Sequence, residues 1–109
     1  MTSELTILQS RAGAFLSRAR GALASGPPAS AAVFSDLVVD GYAEVLVLET
    51  AGRRLRRRID GLAYAGLDDL ELLRELHAEA AAVASSLAEV RGALDQLAER
   101  LLPPTPRSR

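Results

Sequence analysis

Five arginines in six residues, Arg53, Arg54, Arg56, Arg57 and Arg58, form the sharpest polar feature of this chain. A guanidinium is always charged and carries a planar fork of donors that matches phosphate oxygens, so such a run can hold nucleic-acid or lipid phosphates. The same run can also serve folding. Cations favour the C-terminal half of a helix, and a hairpin turning near residue 65 would set Glu71, Glu75 and Glu79 opposite the arginines. No aromatic residue is interleaved to stack bases and no helix-turn-helix is recognisable. The structural role therefore ranks first, with a nucleic-acid-associated regulator using Arg53–Arg58 as the alternative.

Other chemistry has little to stand on. His77 is the single histidine, and Asp69 and Glu79 near it are not at the spacing of three or four convergent metal donors. Asp68 and Asp69 fit a helix start better than a catalytic carboxylate pair. Ser85 and Ser86 fall mid-helix without a histidine in any nucleophile motif, and Gly41 and Gly52 are too isolated for a phosphate loop. There is no cysteine, which excludes thiolate ligands, disulfides and a cysteine nucleophile, and is ordinary for a reducing cytoplasm. The expectation is a protein that is no enzyme, with neither metal nor cofactor.

The elements that must position these residues are written in two apolar ladders. One climbs from Phe34 through Val38, Gly41, Val45, Leu48, Gly52, Leu55 and Ile59 to Leu62; the other from Leu73 through Leu76, Ala80, Val83, Leu87, Val90 and Leu94 to Leu97 and Leu101. Alternating gaps of three and four are the seam of helices packed along their length. A shorter seam, Leu5, Leu8, Ala12, Phe15, Ala19 and Ala22, precedes them. Ser25, Gly26, Pro27 and Pro28 break the chain there, and Pro28 suits the first turn of the next helix. Gly66 can end the second helix, and Asp68 with Glu71 resembles a capping box for the third.

The expected fold is all-α: a three-helix antiparallel bundle with a long coiled-coil hairpin, helices about 3–24, 29–63 and 68–102, in one domain of residues 1–102. A Pro/Arg tail, 103–109, is expected to be disordered. Asp40-Gly41 and Ala51-Gly52 also fit hairpin turns, which would make 33–39, 42–50 and 53–59 a β-meander. The helical spacing of Leu55 and Ile59 among arginines argues for helix, with a kink at Gly41 or Gly52 the remaining variant.

Lengths then suggest assembly. At 1.5 Å per residue the second and third helices reach roughly 50 Å and the first about 33 Å. The first should cover the early half of the second, where Ala32, Val39, Tyr42 and Leu46 add an apolar stripe. The distal hairpin is left as a two-helix arm, rich in Leu55, Ile59, Leu62, Tyr64, Leu67, Leu70, Leu72, Leu73 and Leu76. Such an excess marks an association site, for a homodimer or a partner's helix. The expected function is thus a non-catalytic scaffold or adaptor acting through that arm.

Thirteen arginines against fourteen acids leave no general field for polyanions. Lysine and asparagine are absent, the composition of a high-GC bacterial genome. Apolar runs such as Val45–Leu48 are far too short to span a membrane, and the first residues lack a signal-peptide pattern, so a cytoplasmic protein is expected. The stretch Glu44-Val45-Leu46-Val47-Leu48-Glu49, followed by Arg53-Arg54-Leu55, resembles segments of small helical chaperones that hold subunits for bacterial flagellar or other export. That resemblance implies an arm that sequesters the end of a client.

Overall fold

The computed structural model describes residues 4–25, 31–64, 66 and 69–101. Three helices account for nearly all of them: α1 (Glu4–Ser25), α2 (Ala31–Tyr64) and α3 (Leu70–Leu101). They pack as an all-α bundle in which α2 and α3 form the hairpin and α1 lies against both. No strand occurs among the described residues, and α2 runs uninterrupted through Gly41 and Gly52, which replaces the meander. Pro27, Pro28, Leu67, Asp68 and the tail from Leu102 lie outside the described residues.

Why the ladders became helices is visible in what they bury. On α2 the core positions are Phe34, Leu37, Gly41, Val45, Leu48, Ala51 and Leu55; on α3 they are Leu76, Val83, Val90, Leu94 and Leu97. Leu37 and Ala51 join the α2 ladder because α1 sits beside α3, so the buried face is wider than one seam. Val38, Ile59, Leu62, Leu73, Ala80 and Leu87 stay half-buried. From α1 come Leu8, Ala12, Phe15, Leu16 and Ala19.

Gly41 sets the closest crossing. A β-carbon there would fall 2.8 Å from both Leu94 Cδ1 and Phe15 Cζ, so α1 and α3 meet over a position with no side chain. At Gly52 the same β-carbon would lie 3.8 Å from Val83 Cγ1, ordinary contact. Only one of the two seam glycines is therefore needed for packing.

The hairpin turn follows familiar end chemistry. Gly66 has φ +68°, left-handed backbone that glycine adopts without steric cost, and its N–H donates to Ala63 O at 3.2 Å. The start of α3 is capped one residue later than the sequence suggested: Asp69 Oδ1 accepts from Leu72 N at 3.0 Å.

Candidate functional site

The arm lies beyond the start of α1. Arg54 Nη2 donates to Glu4 Oε1, placing the start of α1 beside Arg54, and a cleft of about 170 Å³ opens there between Leu5, Leu8, Leu55 and Val83. Beyond it, among the described residues, α2 continues to Tyr64 and α3 begins at Leu70. Leu55 and Leu76 are buried within the chain and so are not offered to a partner. Ile59, Leu62, Leu72 and Leu73 are half-buried, Leu70 is 66% exposed and Tyr64 96% exposed. The surface available on the arm is this half-covered row and its exposed ends, with Leu67 outside the described residues.

The arginines are less neutralised than the hairpin argument expected. Arg54 pairs with Glu4, and Arg53 donates to Thr50 Oγ1 at 3.5 Å. Among the described residues, Arg56, Arg57 and Arg58 make no ion pair, and Glu71, Glu75 and Glu79 make none with them. All five arginines are exposed. On the side of the hairpin away from α1, Arg53 and Arg56 line one wall of a groove of about 320 Å³ floored by Gly52, Ala80, Ala84 and Leu87. The pair of Arg91 Nη2 and Glu49 Oε2, at 2.9 Å, lies at this groove; nothing in the local spacing of either residue announced it.

The stripe assigned to α1 is where the structure departs most from expectation. Val39 is 64% exposed, Tyr42 58% and Leu46 63%, and Ala32 is exposed with them. Leu46 lies two residues from the buried Leu48, roughly 200° around the helix, so it points away from the bundle. α1 docks instead beside Asp40 and Glu44: Arg18 Nη2 donates to Asp40 Oδ2 at 2.6 Å, and Arg11 Nη2 to Glu44 Oε1 at 3.0 Å. The groove between α2 and α3 fixes that side, leaving Tyr42 with solvent.

Glu44 escaped the sequence reading. Its side chain is only 14% exposed, Oε1 takes both Arg11 bonds, and Oε2 is buried with no protein partner. His77 and Ser85 are exposed and Ser86 half-buried. Among the described residues no cluster of acids and histidine is arranged to hold a metal ion, and no helix is long and apolar enough to cross a membrane. No protein-family model, curated protein or solved structure matches this chain.

Proposed function

We propose that the chain is a non-catalytic helical interaction module that takes a partner helix, from another protein or a second copy, along its hairpin arm. The observation that carries this reading is the row Ile59, Leu62, Leu72 and Leu73, which stays only half-buried beyond the Glu4–Arg54 pair where the described part of α1 begins. A helix laid there would complete the bundle as α1 does nearer the base. Client-holding of the kind seen in small export chaperones is one form such docking takes.

The test uses the full chain and the exposed-end variant Tyr64→Glu/Leu70→Glu, which should fold normally because neither side chain is in the core. Affinity capture is expected to recover one stoichiometric protein with the wild type and to lose it with the variant. Recovery of no protein, or equal recovery by both chains, overturns the reading.

Nucleic-acid association is the second reading, favoured by the absence of ion-pair partners for Arg56, Arg57 and Arg58 among the described residues. A band shift at moderate salt that disappears in Arg56→Glu/Arg57→Glu supports it. Unshifted nucleic acid with the wild type ends it.

A further inference from the structure

The outward face of α2 changes character along its length. Val39, Tyr42 and Leu46 are followed, on the same rhythm of three and four residues, by Thr50, Arg53 and Arg57, all exposed. An occupant must therefore be able to meet bulky apolar side chains first and two guanidiniums next. The outward face of α3 has that form: Ala81, Ala84 and Ala88, then Gly92, then Asp95 and Glu99, with the same steps and all exposed. A β-carbon at Gly92 would touch nothing within 4 Å, so no neighbour inside the molecule requires a glycine there.

We propose that the occupant of the α2 face is a second copy of this chain, bound through the outward face of its α3 with the two helices parallel. Val39 then meets the second copy's Ala81, Tyr42 its Ala84 and Leu46 its Ala88, large side chains over small ones. Arg53 meets Asp95 and Arg57 meets Glu99, pairs for which none of the four groups has an ion-pair partner among the described residues of its own molecule. The seam from Val39 to Arg57 is about 27 Å long.

Charge disfavours three other arrangements. Reversing the α3 direction about the Leu46–Ala88 contact turns Arg53 toward Ala81 and Arg57 toward His77, away from Asp95 and Glu99. Pairing α2 with α2 in parallel register stacks Arg53 on Arg53 and Arg57 on Arg57. The chain's own residues 102–109 carry two arginines and no acid, so they have the wrong sign. Because the contact joins two different faces, one on α2 and one on α3, each bound copy leaves one face of either kind free. The contact is heterologous and extends into an open series or a ring rather than stopping at a two-fold dimer.

Sedimentation equilibrium of the full chain, from about 10 µM to about 1 mM at low salt, tests this in the range where a contact smaller than a standard interface associates. The wild type should gain mass past the dimer and lose that gain at high salt. Arg53→Glu/Arg57→Glu and Asp95→Arg/Glu99→Arg should each stay monomeric with unchanged helicity, and an equimolar mixture of the two should associate again. A wild type that remains monomeric or stops at dimer overturns the proposal, as does association by either double variant alone or no rescue in the mixture. Tyr64→Glu/Leu70→Glu should associate like wild type; if it abolishes association, self-contact belongs to the arm and the α2–α3 pairing fails independently of whether the arm binds a partner.

Discussion

At the residue scale, the four ion pairs among the described residues have similar lengths but differ in what surrounds them. Arg18 and Asp40 are each about half exposed, as are Arg54 and Glu4, and such pairs contribute roughly 0 to 1 kcal/mol because water screens both charges. Glu44 is mostly buried, so Arg11→Ala removes the partner of a carboxylate that cannot recover its hydration. Chemical denaturation should show Arg11→Ala losing about 1 to 3 kcal/mol, and more than Arg18→Ala or Arg54→Ala. The two seam glycines separate in the same way. Gly41→Ala forces a methyl against the Phe15 ring and Leu94, an overpacking cost of about 1 to 3 kcal/mol that exceeds the roughly 1 kcal/mol gained in helix propensity. Gly52→Ala has room and should stabilise by up to about 1 kcal/mol, so thermal melts of the two variants should move in opposite directions. Sequence spacing put both glycines on the seam; only the position of the Phe15 ring distinguishes them.

At the element scale, helix existence was legible and helix faces were only partly so. The ladders run for several turns, and a pattern that long overrides the local Asp40-Gly41 turn signal. Gly66 read correctly as a helix end because left-handed backbone has few other occupants. The cap did not, since Asp68 and Asp69 are adjacent acids and both offer a carboxylate; the bond from Leu72 N goes to Asp69. Asp69→Ala should cost about 1 kcal/mol, seen as a melting temperature lower by several degrees. Val39, Tyr42 and Leu46 were recognisable as an extra stripe, yet nothing in a single helix says on which side a third will lie. The Arg18–Asp40 and Arg11–Glu44 pairs mark that side, and it is not the stripe's.

At the scale of the whole molecule, coverage is uneven along the long axis. Among the described residues, α2 has two neighbouring helices between Leu37 and Ala51 and one past Arg54. Local opening should follow that gradient, so amide exchange is expected to be slowest around Leu48 and Val90 and markedly faster at Ile59–Ala63 and Leu72–Arg74. Uniform protection from Phe34 to Ala63 would mean that the arm is covered in solution, as it would be by an associated copy or partner. The sequence by itself determined that this chain is three helices, roughly where each starts and stops, and that the first is too short to cover the whole hairpin, because apolar periodicity, end residues and length are local properties of a chain. Tertiary structure decided which side of α2 receives α1, that Leu55 and Leu76 are core rather than interface, that Arg56, Arg57 and Arg58 have no ion-pair partner among the described residues, and that an exposed arginine-bearing face on α2 and an exposed acidic face on α3 remain. Those depend on how one helix is rotated against another, and rotation is settled by the packing of all three at once.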